Sequence, residues 1–260
     1  QSKKTKGFGY QVLGFGSGVS GPQFIEATVS GACNTLATSG DYKIATFTGP
    51  GTFCVSAAGS GCNSIVDYVV VAGGGGSGNP GDGGRSSGSG GAGGFRFYAN
   101  TSNNPQGGPA APINNYGASP NVAVTVSASP YAITVGGGGA AGPEPSSAGA
   151  NGGVSTFSTV TSAGGGSDTG TGGSGGGAYS AAGGSGCNGN TPPTSPAQGR
   201  PGGDAINDNT PSGAGNYVGA AGGGAMADGG NASTSSPYGA VGGAGGGIQG
   251  FGTTGESCGS

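Results

Sequence analysis

Few side chains in this sequence are of the types that carry out catalysis. The 260 residues include no histidine, which removes Ser–His and Cys–His nucleophilic pairs and the commonest metal ligand. No Gly-Lys dipeptide occurs, so the loop that binds nucleotide phosphates is absent as well. The ten acidic residues are scattered singly. We therefore predict that the chain is not an enzyme and that it has no cofactor.

The closest group of oxygen ligands lies between Asp204 and Asn209, where two aspartates and two asparagines fall within six residues. Such oxygens could bind calcium, but the spacing of an EF-hand loop is absent and a polar turn is favoured. We therefore predict no metal site.

The five cysteines also show no metal-binding or redox motif. None of them has C-x-x-C spacing, so zinc and thioredoxin-type sites are excluded. An odd number of cysteines allows two disulfides and one free thiol, or five free thiols, and the sequence does not choose between them. The cysteines are Cys33, Cys54, Cys62, Cys187 and Cys258.

Glycine dominates the composition, with 70 residues of 260. Within ordinary helices or strands each glycine costs about 0.5–1 kcal/mol relative to alanine, so the runs are either flexible linkers or part of a structure that requires glycine. We favour the second: polyproline-II-type helices of three residues per turn that pack closely and bond through their backbones. The main runs are 73–76, 136–139, 164–166, 175–177, 222–224 and 245–247.

Strand-like segments lead directly into several of these runs. Ile65–Ala72 is apolar nearly throughout and is predicted to be a strand buried on both faces. Tyr42–Thr48 and Thr52–Ala57 flank Gly49-Pro50-Gly51 and are predicted to form a hairpin. Val122–Val126 and Tyr131–Val135 are predicted to be a further pair. The remaining strand candidates are Phe95–Tyr98 and Val154–Val160.

Apolar residues are distributed unevenly, which suggests three regions. Of the Leu, Ile, Val and Phe residues, only five follow residue 160: Ile206, Val218, Val241, Ile248 and Phe251. We predict an attachment segment over 1–30, a β-strand domain interleaved with the first glycine runs over 31–162, and a glycine bundle with surface loops over 163–260. For residues 1–30, a strand that packs on its own domain is an equal alternative. The predicted fold is all-β or irregular: a small antiparallel β-sandwich that continues into a bundle of polyglycine-II helices, with almost no α-helix.

The charge distribution argues against nucleic acid as a partner. Charged residues make up 7% of the chain, the net charge is −3, and three of the seven basic residues lie at Lys3, Lys4 and Lys6. No run of about 18 apolar residues exists, so we predict no membrane insertion. The first residues do not resemble a signal peptide, and the missing initial Met is typical of a processed product or a fragment.

If the runs alternate in direction, their connecting loops collect at two opposite ends. One end is predicted to hold Asn79–Ser89, Pro143–Ala150 and Ser167–Thr171, and the other end the strands. Tyrosine among Ser, Gly and Asn is typical of adaptable binding surfaces, although for any single tyrosine a cap on the end of a glycine layer is favoured. The loop residues predicted to contact a partner are Arg85, Glu144, Asp168, Asn190, Tyr217 and Tyr238.

The order of the segments resembles that of glycine-rich bacteriophage tail-fibre proteins, especially those of marine phages, and of the tail-tip adhesins of T-even-type phages. The segments that carry the resemblance are Gly40–Ile44, Phe47–Phe53, Val66–Gly76, Gly91–Arg96, Tyr131–Gly136 and Phe157–Gly166. The resemblance covers about residues 7–250, and it implies a sandwich of polyglycine-II helices.

In the resembled family, variable loops at the far end bind receptors on the host outer membrane. The resemblance thus implies a non-enzymatic virion adhesin on the extracellular face of a tail fibre, with a host outer-membrane protein or surface glycan as its partner. Residues 1–30 would join it to other tail proteins, with Phe8, Tyr10, Leu13 and Phe15 as the candidate attachment residues. The alternatives are a virion or extracellular fibre protein that acts only as a rigid spacer, and an ice-binding bundle, whose strict three-residue period is absent.

Overall fold

The computed structural model describes residues 23–40, 42–79, 87–98, 123–143, 147–179, 184–208, 216–233 and 239–246. Within these ranges the chain forms short strands and one 3-10 helix, Gly61–Ser64, and no α-helix. The predicted all-β class is therefore confirmed. The strands are β1 Glu26–Ser30, β2 Thr35–Ser39, β3 Tyr42–Thr46, β4 Gly51–Ala57, β5 Ile65–Val66, β6 Tyr68–Val71, β7 Phe95–Tyr98, β8 Val124–Thr125, β9 Pro130–Thr134, β10 Ser155–Phe157, β11 Val160–Ser162, β12 Ile206–Asp208 and β13 Asn216–Val218.

Five strands form one antiparallel sheet in the order β1-β4-β9-β10-β11. They are rich in Thr, Val, Phe and Tyr, which suit a pleated surface with one packed face. Two ribbons, β5–β8 and β6–β7, supply the residues that pack against this sheet.

The hydrophobic core lies between the five-stranded sheet and the two ribbons. Phe157 is half-buried and packs against the core, with its ring 6.0–6.2 Å from the rings of Phe53, Tyr68 and Tyr131. Burial raises the pKa of Tyr68 to about 12, against the opposing effect of Arg96. The buried members of the core are Val55, Tyr68, Val70, Val124, Val126 and Val160.

The predicted hairpin between Tyr42–Thr48 and Thr52–Ala57 is wrong. Instead, β3 pairs with β2, while β4 pairs with β1 and β9. The Asn34 side chain explains the difference, because it donates to the Ser30 carbonyl (2.9 Å) and accepts from the Thr48 amide (3.1 Å). These two hydrogen bonds close the base of the β2–β3 ribbon. The strands that precede and follow the ribbon in the chain, β1 and β4, then pair with each other.

The prediction of one strand over Ile65–Ala72, buried on both faces, is also wrong. Asp67 separates β5 from β6, and β6 alternates in exposure. Tyr68 and Val70 are buried, whereas Val69 and Val71 are 36% and 51% exposed. Val69 and Val71 therefore present apolar side chains on the outer face of β6.

Two further pairings differ from expectation, while one strand is confirmed. β8 pairs with β5 rather than with β9, which lies between β4 and β10. The candidate Val154–Val160 divides into β10 and β11, because Ser158 turns the chain with a φ of 53°. Phe95–Tyr98 forms β7 as predicted.

The glycine runs lie side by side and are joined by backbone hydrogen bonds. Between residues 72–79 and 147–154 the donor advances by three residues while the acceptor retreats by three. In a pair of pleated strands, the hydrogen bonds to one neighbour recur at every second residue. In a helix with three residues per turn, every third residue faces the same neighbour. These runs are therefore antiparallel helices of the polyglycine-II type. The bonds are Gly73–Gly153 (3.0 Å), Gly76–Ala150 (2.8 Å) and Asn79–Ser147 (2.8 Å).

Successive residues of one run face different neighbours. Residues 72–79 exchange backbone hydrogen bonds with four other runs, whereas a strand in a sheet has two neighbours. The predicted bundle is thus confirmed for the described runs, and the linker alternative is wrong for them. The four neighbouring runs are 88–94, 136–142, 147–154 and 163–166.

Close approach of the backbones explains why the runs require glycine. A Cβ atom added to Gly165 would lie 2.2 Å from the carbonyl oxygen of Gly91 and 2.7 Å from that of Ala92. Real Cβ atoms essentially never come within 3.0 Å of another heavy atom. Because both obstructing atoms belong to backbone, no side-chain movement relieves the clash. We call this assembly of runs the glycine bundle.

Candidate functional site

The glycine bundle has two ends of different character. Its runs leave the strands and return: residues 72–79 follow β6 and residues 88–94 lead into β7, while 135–143 follow β9 and 147–154 lead into β10. We call the end at which the runs join these strands the strand end, and the opposite end the far end.

The three loops predicted to share one end have flanking residues in contact at the far end. The Asn79 amide donates to the Ser147 carbonyl at 2.8 Å, and the Gly149 amide donates to the Asp168 carboxylate at 2.9 Å. Gly142 likewise donates to the Ser77 carbonyl at 2.9 Å. The residues that border the loops 79–89, 143–150 and 167–171 are therefore held next to one another.

Asp168 is the central side chain of the far end. It is 4% exposed, and a Cβ atom added to Gly78 would lie 2.0 Å from its Oδ2 atom. The carboxylate therefore fills the space between two runs that carry different loops. The sequence singled out Asp168 as a contact residue on the surface; the structure buries it and gives it a positioning role.

The turn that carries Asp168 is fixed from both sides. The Asn151 side chain accepts a hydrogen bond from the Ser167 amide at 2.8 Å, and the Gly170 amide donates to the Ser167 carbonyl at 2.9 Å. Nearby, burial raises the pKa of the Cys187 thiol, and the negative charge of Asp168 adds to the rise.

We expect Asp168→Ala to loosen the far end while leaving the strands intact. The Gly149 amide loses a charge-assisted bond worth about 1.5–3 kcal/mol, so its hydrogen exchange should accelerate roughly tenfold or more. Amide exchange followed by NMR measures this effect. Asp168→Asn keeps an acceptor oxygen and should change exchange less, and Asp228→Ala, at an exposed aspartate, is the matched control. Equal exchange at Gly149 in all three variants would contradict the positioning role.

The β12–β13 ribbon also belongs to the far end. The Ala178 amide donates to the Gly203 carbonyl at 3.0 Å, and the Ala220 amide donates to the Ala178 carbonyl at 3.1 Å. Gly203 and Ala220 flank the ribbon, and Gly177, the residue before Ala178, donates to the Ser89 carbonyl at 2.8 Å. Tyr217, a predicted contact residue, lies in β13 opposite Asn207.

Asn190 lies at the strand end and not with the other candidates. Its Oδ1 atom accepts bonds from the Thr194 amide (3.0 Å) and the Gln198 amide (3.1 Å), and its own φ is 51°. The side chain thus closes a loop that contains the cis peptide bonds Thr191–Pro192 and Ser195–Pro196. Its hydrogen-bonding groups are used inside the loop.

Gln198 is a structural residue that sequence reasoning missed. It is 1% exposed, and its side chain accepts from the Ala163 amide at 2.8 Å and donates to the Pro192 carbonyl at 2.8 Å. Its backbone carbonyl accepts from the Phe95 amide at 2.7 Å. Gln198 therefore joins the loop to the ends of β7 and β11. Its neighbours Ala197, Gly199 and Arg200 carry no local signal that distinguishes it from other loop residues.

A family model described as a glycine-rich domain matches residues 46–260, most of the chain. The chain belongs to this glycine-rich domain family. The match begins at the last residue of β3 and includes all the runs of the glycine bundle. No curated protein and no solved structure matches the chain.

The described residues include three cysteines with free thiols. Cys33 and Cys54 are exposed, and Cys187 is half-buried. Two disulfides would require four of the five cysteines, so that alternative is wrong. Within the described residues, no group of three or more His, Cys, Asp or Glu side chains could hold a metal ion. No helix among them is long and apolar enough to cross a membrane.

The remaining sequence-predicted residues lie outside the described ranges. They are the loop residues Arg85, Glu144 and Tyr238 and the attachment residues Phe8, Tyr10, Leu13 and Phe15. The described residues that flank Arg85 and Glu144, including Asn79 and Ser147, are at the far end. In the segment predicted for attachment, residues 26–30 form β1, an outer strand of the five-stranded sheet.

Proposed function

We propose that this glycine-rich domain is a non-enzymatic adhesin of a bacteriophage tail fibre or tail tip, located on the virion. Its far end binds a receptor on the host-cell surface, either an outer-membrane protein or a glycan. Residues 1–30 join it to other tail proteins at the strand end. The order of segments, which resembles that of phage tail adhesins, motivates the assignment.

One observation carries the proposal: the borders of three loops of different sequence converge at the far end on the buried Asp168. A rigid bundle that gathers loops at one end suits recognition, because a binding surface gains affinity when its contact residues are pre-organised. The bundle is held mainly by backbone bonds between glycine runs, so loop residues other than Asp168 can change without loss of the bundle.

Exchange of the loops tests the adhesin proposal. Residues 80–86 and 144–146 are replaced by Gly/Ser segments of equal length, which leaves Asn79, Ser147 and Asp168 unchanged. Adsorption of otherwise intact phage particles to host cells should fall by about tenfold or more, since loss of a binding hot spot costs 2 kcal/mol or more. The matched control is Asp228→Ser, an exposed substitution at the strand end.

The second candidate function is a rigid spacer within a fibre. It is favoured by the bonding of residues 72–79 to four neighbouring runs, which stiffens the bundle whatever the loops contain. Normal adsorption by loop-exchanged particles, with assembly confirmed by electron microscopy, would support the spacer and reject the adhesin.

A further inference from the structure

An open groove of about 530 Å³ runs along one side of the glycine bundle, from Ser89 at the border of a far-end loop to Val71 and Phe95 at the strand end. Three runs form its walls, and β6 and β7 contribute Val71 and Phe95 at its end. No charged side chain is among its lining residues. These belong to 89–93, 222–225 and 242–246, together with Val71 and Phe95.

One wall of the groove presents the unpaired side of a polyglycine-II helix. In residues 88–94, the amides divide by position into three sets, each facing one direction. Ser89 and Ala92 donate to Ala220 and Gly223, and Gly91 and Gly94 donate to Gly166 and Ala163. The third set, Gly90 and Gly93, makes no hydrogen bond among the residues that the structure describes, and both residues line the groove.

The opposite wall, formed by residues 242–246, also presents an unpaired side of its backbone. Gly242 and Gly245 are also three residues apart, and neither of them makes a hydrogen bond within the described residues. A Cβ atom added to either glycine would meet nothing within 4 Å. Two unpaired faces with the same three-residue spacing therefore border one groove.

The chemistry of the lining favours a polypeptide backbone over a small molecule. The volume falls in the range of small-ligand pockets, but such pockets have polar side chains that orient the ligand. Here the one hydroxyl, that of Ser89, is already bonded to the Gly222 amide at 2.7 Å. What the groove offers is peptide N–H and C=O groups at every third residue, which match a chain of the same repeat.

We infer that the groove binds an extended, uncharged, glycine-rich segment of another polypeptide, which adds one more helix to the bundle. Glycine at every third position of that segment faces Gly90 and Gly93, because a side chain there would hold the backbones apart. An apolar residue at the segment's end packs on Val71 and Phe95. Apart from Ser89, at the border of one far-end loop, the lining residues lie outside the far-end loops, so occupation of the groove can be measured separately from receptor binding.

A synthetic peptide tests this inference with the full chain. The probe is Ser-Gly-Gly-Ser-Gly-Gly-Val followed by two lysines for solubility and a fluorophore, and its binding is followed by fluorescence anisotropy. We expect binding to weaken at least tenfold in the double variant Gly242→Leu, Gly245→Leu, whose side chains occupy the groove. Gly137→Leu is the matched control, because Gly137 is exposed, meets nothing within 4 Å and lies elsewhere. Unchanged thermal unfolding confirms that the variants fold.

Three results would overturn the inference. The first is no binding of the probe to the unmodified chain, or equal binding to the double variant. The second is slow exchange of the Gly90 amide without peptide at every protein concentration, which would mean that residues 247–260 fill the groove. The third is slow exchange that appears only at high concentration together with dimers in sedimentation, which would make a second copy the occupant. Adsorption of phage particles is not measured, so the outcome is independent of the adhesin proposal.

Discussion

Gly165→Ala will destabilise the whole glycine bundle by about 3 kcal/mol or more, the upper part of the range for overpacked interiors. The added methyl group would meet the Gly91 carbonyl oxygen at 2.2 Å, and Gly165 is buried. Relief requires the two runs to separate, which also weakens the bonds from the Gly165 amide to Gly73 and from the Gly152 amide to Gly165. Urea unfolding followed by circular dichroism measures the loss.

Gly137→Ala is the control for this substitution. Gly137 is exposed, and a Cβ atom there meets nothing within 4 Å. Alanine restricts the unfolded chain more than glycine does, so this variant should be unchanged or more stable by about 0.4–1 kcal/mol. Similar stabilities of the two variants would show that close backbone contact does not hold the bundle together.

Gln198→Leu should cost about 2–3 kcal/mol, although leucine is apolar and of similar size. The buried Ala163 amide loses its acceptor, and an unsatisfied buried donor costs about 1–3 kcal/mol. The loop loses its bond to the Pro192 carbonyl as well. Thermal unfolding measures the stability, and amide exchange at Ala163 locates the loss.

Gln23→Leu makes the same chemical change at an exposed position and should leave the free energy of unfolding within about 0.5 kcal/mol. If Gln198→Leu behaved like this control, Gln198 would be a filler of space and not a bridge between loop and strands. Faster exchange confined to residues near Ala163 supports the bridge.

The packing of the glycine runs could be predicted because composition leaves few alternatives. A chain with so few apolar residues after position 160 cannot build an ordinary core there, and backbone bonding is what remains. The convergence of the loops near Asn79, Ser147 and Asp168 could also be predicted, since runs of similar length that alternate in direction return their turns to the same end.

Strand pairing and the buried polar residues could not be predicted in this way. Asn34 closes a ribbon between β1 and β4, and nothing in the sequence distinguishes it from the other asparagines of loops. Asp168 and Gln198 are buried because particular turns of the folded chain cover them. That depends on contacts between runs far apart in sequence, whereas local pattern reports only neighbours along the chain.

The bonding of residues 72–79 to four surrounding runs has a mechanical consequence. A pleated sheet resists being pulled apart along its hydrogen bonds but bends readily across its plane. Around residues 72–79, hydrogen bonds to neighbouring runs radiate about the helix axis, so sideways load on this run is shared in several directions. A thin rod built in this manner keeps its shape under shear from any side, without the thickness that a hydrophobic interior would demand.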